Sequence, residues 1–587
     1  MPQPRRPHRM QSQRIASRAP AQTGRQTPLR GHALLQDPLL NKGTAFSREE
    51  RAQLGLEGLL PDQVEDLALQ VQRTWCTFRA LSGDLERHAF MESLRRSNLV
   101  LYHRFLADHC EAVLPIVYTP TVGAVIQQFH QRYRTPMDGV FLSATQRGRL
   151  RQVLRQSING PVDLVLVTDS EGILGIGDQG VGGIQICQGK LAVYTLCAGL
   201  HPGRVLAVAL DVGTNRDSLL EDPLYPGLRQ RRLQGDDYLA FVDEFVEAVQ
   251  LECPGAVLHW EDFGTAHAHL LLERHRDALP SFNDDIQGTS GVASAAVLAA
   301  CRGLGQALRE QRIVIFGVGT AGCGIAAGLV RLLQGEGLSE RQARERIWAI
   351  DRPGLLLDTM DGLSPMATAL ARPADAVRDW PRDSRGRITL ETVVEQVQPT
   401  VLIGTSTVAG AFHRGVVQTM AAHCRRPVIL PLSNPTSLAE ACPEDLLHWT
   451  DGRALVATGS PFAPVQRAEG PRPIGQCNNC FLFPGLGYAA VAVGLRRIND
   501  AMIDAGLHAL ASHIPASCDP DAALMPSLQQ AAAVGSSVAR AVALVGTEQG
   551  LARLAQTPEQ ALQRLEKARW RPSYAALRAS EAEPPGR

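Results

Sequence analysis

The amino-acid sequence predicts an α/β fold built on parallel sheets behind a helical N-terminal region. Three observations carry that prediction. Residues 162–168 (VDLVLVT), 205–210 (VLAVAL) and 256–260 (AVLHW) are short apolar runs of the buried parallel-strand kind. Each run ends in polar or acidic residues: Thr168-Asp169, then Asp211-Val212-Gly213-Thr214-Asn215, then Glu261-Asp262. Helical stretches such as residues 236–251 separate some of the runs. Open α/β sheets bind ligands at the carboxyl ends of their strands, so the polar ends mark an expected site.

Taken in order, the first 36 residues hold seven arginines and no acid, with many Gln, Ser and Pro. That composition suits either an organellar transit peptide or a disordered leader, and its weak amphipathic periodicity favours disorder over residues 1–33. Residues 48–54, 61–81 and 87–106 read as polar-flanked helices. A second α/β unit follows the three apolar runs. Residues 312–316 read as a strand, Gly317-Val318-Gly319-Thr320-Ala321-Gly322 as a tight turn, 323–333 as a helix and 346–350 as the next strand, ending at Asp351. This is a Rossmann-type dinucleotide fingerprint in its structural context: Gly317, Gly319 and Gly322 let the backbone approach a pyrophosphate, and a helix N-terminus faces the anion. Asp351 is placed to accept hydrogen bonds from ribose hydroxyls, which favours NAD, while Arg352 leaves NADP open. Asp351 comes 34 residues after Gly317, more than the usual ~20, so a longer helix is expected. Residues 400–403 and 428–432 are further apolar runs, ending in Gly404-Thr405-Ser406 and Ser433-Asn434-Pro435.

The bulk numbers narrow the function class. The 587 residues suffice for about three to five domains, with 44 % hydrophobic and 20 % charged residues. Zero net charge gives no argument for a nucleic-acid or membrane partner, and no uninterrupted run of about 18 apolar residues marks a membrane span. Twelve scattered cysteines read as reduced thiols, and Cys477-Asn-Asn-Cys480 is a lone CxxC without a second ligand pair.

Of 59 basic residues only Lys42, Lys190 and Lys567 are lysines. Arginine cannot release its proton near neutral pH, whereas a buried lysine can, because desolvation lowers its pKa. Lys190 lies in the apolar stretch Gly189-Lys190-Leu191-Ala192-Val193-Tyr194, which suits a general base; a stem snorkelling to the surface is the plain alternative. Trp260-Glu261-Asp262-Phe263 and Phe282-Asn283-Asp284-Asp285-Ile286 place four carboxylates in two apolar-flanked doublets. Buried together they would repel one another without a cation, and hard oxygen ligands suit Mg²⁺ or Mn²⁺; two solvated acidic turns are the alternative. His267 and His269 could add softer ligands, but the surface reading is favoured for both.

These residues carry a resemblance. From about Leu34 to at least Tyr488 the chain resembles the malic enzymes. The matching strings are Leu40-Asn41-Lys42-Gly43-Thr44-Ala45-Phe46, Val117-Tyr118-Thr119-Pro120-Thr121-Val122-Gly123 and Ile173-Leu174-Gly175-Ile176-Gly177-Asp178. Gly189-Lys190-Leu191, Glu261-Asp262-Phe263, the Asp284-Asp285 segment, Leu432-Ser433-Asn434-Pro435-Thr436 and Cys477-Asn478-Asn479 continue them. The resemblance implies a helical N-terminal domain (34–137), a parallel-sheet substrate domain (138–284, completed by 479–547), an inserted NAD-binding domain (285–478) and a C-terminal extension (548–587).

It also implies roles. Glu261, Asp262 and Asp285 match the ligands of a divalent metal, Mn²⁺ or Mg²⁺, with Asp285 also beside the cofactor. Lys190 matches the base that takes the proton of the malate 2-hydroxyl, Asp284 the carboxylate that orients it, and Tyr118 the acid that protonates the enolate. Asn434 and Asn479 match the amides that hold malate and the nicotinamide end of NAD. The implied activity is oxidative decarboxylation of L-malate to pyruvate and CO₂, by a homodimer or homotetramer in a bacterial cytoplasm rather than a mitochondrial matrix.

One departure stands out. The family pattern carries Glu-Arg before Ile-Leu-Gly, and here Gly172 replaces the arginine that lies on the substrate carboxylate. Losing a guanidinium clamp is expected to weaken malate binding, and arginine at 172 to tighten it. The malolactic branch, which yields lactate and CO₂ with the cofactor retained, shows a similar string, whereas Gln179 leans toward the oxidative enzymes. A catalytically silent dinucleotide-binding protein is the remaining alternative.

Overall fold

The structure is a computed structural model that describes residues 25–133, 139–173, 175–468 and 470–580. Its strands are β1 (Arg25–Thr27), β2 (Val140–Ser143), β3 (Leu164–Thr168), β4 (Val205–Asp211), β5 (Val257–Trp260), β6 (Ser281–Asn283) and β7 (Ile313–Phe316). They continue as β8 (Ile347–Asp351), β9 (Gly354–Leu355), β10 (Val401–Gly404), β11 (Val428–Pro431), β12 (Leu455–Thr458), β13 (Gly475–Gln476) and β14 (Leu577–Ala579).

The three apolar runs of the middle region become β3, β4 and β5 of a five-stranded sheet in the order β2-β4-β3-β5-β6, parallel throughout. Every residue of β3 is buried, as a strand covered on both faces requires. The helix Gly235–Glu252 covers one face with Tyr238, Phe241, Val242, Phe245, Val246 and Val249, spaced three and four apart along one stripe. Phe241 and Phe245 are fully buried, each contributing about 1.5–3 kcal/mol of apolar transfer.

The second sheet runs β13-β12-β11-β10-β7-β8-β9, parallel except for the antiparallel β8–β9 pair. The chain leaves β7 for β8 on one side and returns to β10 on the other. The crevice for a ligand therefore opens at the carboxyl ends of β7 and β10. The long interval between Gly317 and Asp351 comes from an added element, not from the longer helix expected. The helix Thr320–Gly335 is followed by a second helix, Glu340–Glu345, begun by a Ser339–Gln342 capping box.

Other expectations need correction. The helix read over 61–81 starts at Leu67, because the Asp66 carboxylate accepts the Leu69 N–H at 2.8 Å and caps it there. The helix read over 87–106 is two helices, Asp84–Ser97 and Leu99–Asp108, parted where Asn98 Oδ1 accepts the Leu101 N–H at 2.9 Å. Disorder was expected through residue 33, yet β1 pairs in parallel with β14 and Gly31–Leu35 is helical. The part of the leader before residue 25, and Leu174, lie outside the described residues.

The chain divides into two compact units. Of the described residues, one unit comprises 25–76, Ser93–Arg104 and 572–580; the other comprises those within Thr77–Glu92 and Phe105–Arg571 and holds both large sheets. In the first, Lys42 is buried in a 2.5 Å pair with Glu50, whose Oε1 also accepts the Leu577 N–H at 2.7 Å. In the second, Ala531–Glu548 packs against Phe483–Val493, Asp500–Ala511 and the helix Ile184–Ala198. By length and composition Cys110–Gln127 and Leu528–Glu548 could each cross a membrane. The first is broken into helices Cys110–Val117 and Thr121–Gln127 around Tyr118, and the second is a packed helix of the unit's core.

Candidate active site

A cleft of about 390 Å³ lies within the second unit. Tyr118, Lys190, Glu261, Asp262 and Asp285 line it, together with Thr405, Thr407, Ser433, Asn434 and Asn479. The two carboxylate doublets and the loops after β10 and β11, far apart in sequence, thus meet in one cavity.

Lys190 sits on the helix Ile184–Ala198, which is buried on nearly all sides. Its side chain does not snorkel: the residue is 2 % exposed. Nζ pairs with Asp284 Oδ2 and lies 2.7 Å from Glu261 Oε1 and 4.8 Å from the Phe483 ring centroid. Burial pulls the Lys190 pKa down, as the sequence suggested, but Asp284 and Glu261 outweigh it and hold the ammonium well above its ordinary value. These two carboxylates thus correct the lowered pKa expected from burial alone. Gly189 lets the Tyr118 segment approach: a Cβ there would lie 2.7 Å from Val117 O and 3.4 Å from Tyr118 Cδ2. Burial raises the Tyr118 phenol well above its usual range, so it keeps its proton at neutral pH.

Glu261, Asp262 and Asp285 are all buried, with ligand oxygens within 4.8 Å of one another. Asp262 is held at φ +55°, a region L-residues rarely occupy. Its N–H donates to Asp285 Oδ2 at 2.7 Å and its carbonyl accepts the Gly172 N–H at 2.8 Å. Burial and mutual repulsion push the Asp285 pKa far up, and burial raises Glu261 as well. Three crowded oxygen donors of this kind fit a hard divalent cation. Asp284 and Asp285 lie on a single π-helical turn, Asp284–Gly288, a distortion frequent at functional sites. Gly288 is needed there, since a Cβ would fall 1.7 Å from Asp284 Oδ1.

The glycine turn is built as its sequence implies. A Cβ at Gly317, where φ is +100°, would strike the Thr405–Ser406 backbone at 2.5–2.6 Å, and one at Gly322 would strike Gly317 O at 2.0 Å. Gly319, the N-cap of Thr320–Gly335, has nothing within 4 Å and no side-chain cap. That open approach to bare helix N–H groups fits a pyrophosphate. Asp351 ends β8, its Oδ2 accepting the Val318 N–H at 3.4 Å and its Oδ1 the Arg352 N–H at 2.8 Å. The nucleotide helix rests on the acidic turn: a Cβ at Gly324 would lie 2.6 Å from Ile286 O.

Asn434 and Asn479 both line the cleft, with different engagements. The Ser460 hydroxyl donates to Asn434 Oδ1, and the Asn434 Nδ2 reaches Leu432 O at 3.5 Å, a long contact. Asn479 Nδ2 is spent on Asp284 Oδ2 at 2.9 Å and Thr289 Oγ1 at 3.0 Å. His267 pairs with Glu171 at 3.1 Å and stacks on Tyr238; neither it nor His269 lines the cleft. All twelve cysteines are free, Cys477 at the cleft wall.

Gly172 is explained by packing. A Cβ at this position would lie 2.5 Å from Phe263 O and 2.9 Å from Phe263 C, in the backbone that follows Asp262. An arginine there would displace the acidic doublet rather than clamp a substrate, which corrects the expected gain in affinity. Sequence reasoning missed His259 and Tyr194. His259 Nε2 lies 3.1 Å from Glu261 Oε2, and Nδ1 lies 2.7 Å from the Tyr194 hydroxyl. Burial lowers the His259 pKa to about 3, so the neutral ring donates to Glu261 and accepts from Tyr194. The histidine within an otherwise apolar strand was the available signal.

Known proteins resemble this chain along most of its length. Two family models match the chain: the malic enzyme N-terminal domain over residues 95–276 and the malic enzyme NAD binding domain over 286–546. The chain is 46 % identical over 557 residues to NAD-dependent malic enzyme 3 of Bacillus subtilis, covering 94 % of this chain and 98 % of that protein. It is 44 % identical over 547 residues to the NAD-dependent malic enzyme of Shewanella frigidimarina, covering 93 % and 97 %. The crystal structure of the Entamoeba histolytica malic enzyme shares the fold at a TM-score of 0.54 and 20 % identity, over 88 % of this chain and 91 % of that one.

Proposed function

This chain belongs to the malic enzyme family, and from that premise we propose that it oxidises and decarboxylates L-malate to pyruvate and CO₂ while reducing NAD. The observation that carries the proposal is the buried Lys190, held between Asp284 and Glu261 at the edge of a three-carboxylate group.

Glu261, Asp262 and Asp285 would hold Mn²⁺ or Mg²⁺, and Gly317, Gly319, Gly322 and Asp351 the nucleotide, its pyrophosphate at the helix N-terminus and its ribose on Asp351. When bound, the cation supplies Lewis-acid polarisation of substrate oxygens and NAD supplies the hydride acceptor. The residues do the rest. With Glu261 engaged as a ligand, Lys190 loses one of the two charges that keep it protonated, and its amine can accept the proton of the malate 2-hydroxyl. Asp284 keeps Nζ aimed, and Asn479 fixes Asp284 in turn. Loss of hydride from C2 gives a β-keto acid, whose carboxylate β to the carbonyl leaves as CO₂. Tyr118, protonated in its buried setting, then gives its proton to the enolate carbon. Asn434 presents its amide N–H₂ to the substrate or to the nicotinamide carboxamide.

The malolactic alternative took its support from Gly172, and the close approach of Phe263 accounts for that glycine without it. A homodimer or homotetramer in a bacterial cytoplasm completes the proposal, and light scattering of the purified protein tests its assembly. The activity is tested by supplying L-malate, NAD and Mn²⁺, following NADH by absorbance and identifying the three-carbon product by NMR. Pyruvate formed one-for-one with NADH supports the proposal. Lactate without NADH, or no turnover, overturns it.

A further inference from the structure

Glu440 is fully buried, and among the described residues its carboxylate has only uncharged partners. Oε1 accepts the Ser406 N–H at 2.8 Å, the Ser406 hydroxyl at 2.9 Å and the Ser433 hydroxyl at 2.5 Å. Oε2 faces the Ser433 N–H at 3.4 Å. A carboxylate removed from water without a cation is costly unless it collects several charge-assisted hydrogen bonds. The surrounding chain is shaped to allow it: a Cβ at Gly404 would lie 2.5 Å from Glu440 Cδ.

The donors belong to two loops that leave the carboxyl ends of β10 and β11. One carries Thr405 and Thr407, the other Ser433 and Asn434, and all four line the cleft, whereas Glu440 does not. The loops are tied again where the Thr407 N–H donates to the Ser433 hydroxyl at 2.8 Å, with Thr407 held at φ +58°. On its far side the first loop reaches the glycine turn, Thr405 Oγ1 donating to Gly317 O at 2.7 Å. On its far side the second reaches the substrate half, since a Cβ at Gly175 would lie 2.0 Å from Asn434 O. Behind the cleft wall, Glu440 thus bridges the two loops that lie between the nucleotide turn and the substrate loop.

We infer that Glu440 is a positioning residue for the nucleotide, acting through Ser406 and Ser433 to hold these two loops at the separation that the nicotinamide half of NAD requires. The inference rests on the reading of the cleft as the NAD site. Glutamine at 440 keeps the shape but offers one acceptor oxygen and turns an N–H₂ toward a donor. Alanine at 406 removes one hydroxyl and leaves the backbone N–H.

The test is calorimetric titration of the full-length protein with NAD, for the wild type, Glu440→Gln and Ser406→Ala, with Mn²⁺ titrated separately. Glu440→Gln is expected to weaken NAD binding about tenfold and Ser406→Ala about threefold. Mn²⁺ affinity should stay within about twofold, because Glu261, Asp262 and Asp285 stand on other elements. A lower melting temperature with unchanged NAD affinity in both variants would make Glu440 merely structural and overturn the inference. Should Glu440→Gln fail to fold, Ser406→Ala decides alone, by weakened or unchanged NAD binding. A wild type without NAD affinity would overturn the reading of the cleft, and this inference with it.

Discussion

Lys190 Nζ lies 2.7 Å from Glu261 Oε1, so the residue proposed to take a proton directly touches one proposed to hold a cation. Protonation of the base and occupancy of the acidic group are therefore linked through one contact, with Asp284 holding the lysine from its other side.

The acidic group itself gives the first prediction. Three buried carboxylates that repel one another should be relieved by Mn²⁺. At a hundredfold excess over its Kd the ion should stabilise the fold by about 2.7 kcal/mol, and EDTA should reverse the gain. Asp285→Asn should lose most of this increment in a thermal melt. Equal Mn²⁺ stabilisation of the variant would place the ion elsewhere.

Tyr118 is buried and stays protonated, as a carbon acid catalyst must. Tyr118→Phe should lower kcat by about a hundredfold to ten-thousandfold while NAD and Mn²⁺ affinities change little. Near-normal turnover in the variant would assign the proton donor to another group.

Gly172 faces the Phe263 backbone, 2.5 Å from where a Cβ would stand. Gly172→Ala should destabilise the protein by about 1–3 kcal/mol through overpacking, and Gly172→Arg should cost more and raise the KM for malate. An arginine variant of normal stability and lower KM would restore the clamp idea.

Arg232 gives a pH prediction. Its guanidinium is buried, makes two 2.8 Å bonds to Asp178 and one to Asp169 O, and so cinches both ends of the loop that carries Gly172. Burial raises the Asp178 pKa, but Arg232 and the Asn215 and Gly180 N–H groups outweigh it and leave it below the ordinary value. A depressed folded pKa stabilises fully above the unfolded value near pH 4 and is lost as pH falls through the folded pKa. Arg232→Met should cost about 3–5 kcal/mol at neutral pH, and the gap to wild type should narrow as pH falls, because protonating Asp178 removes the buried charge left without its guanidinium. Melting temperatures measured from pH 7 to pH 3 check both parts, and parallel curves for variant and wild type would contradict them.

How much of this was legible in the sequence depended on the kind of signal. Apolar runs with polar ends marked β3, β4 and β5 because parallel strands buried on both faces leave little choice of residue. Strands as short as β6, β9 and β13 leave no such pattern. The Gly317–Gly322 turn and the carboxylate doublets stood out because their residue types are rarely grouped without a ligand. Glu440, His259 and Arg232 did not, since each is a single polar residue whose partners come from elsewhere in the chain. The low pKa expected for Lys190 failed for a related reason: burial could be read from its neighbours in sequence, but the two carboxylates that reverse its effect arrive from 71 and 94 positions away.

The central claim is that Lys190 starts the reaction by taking a proton. Single-turnover mixing of L-malate, NAD and Mn²⁺ with wild type and with Lys190→Arg measures it directly, since arginine keeps the charge and cannot give up its proton. The account predicts a burst of NADH from the wild type, and none from a variant that still binds NAD and Mn²⁺. Hydride transfer by Lys190→Arg at a rate comparable to the wild type would contradict it.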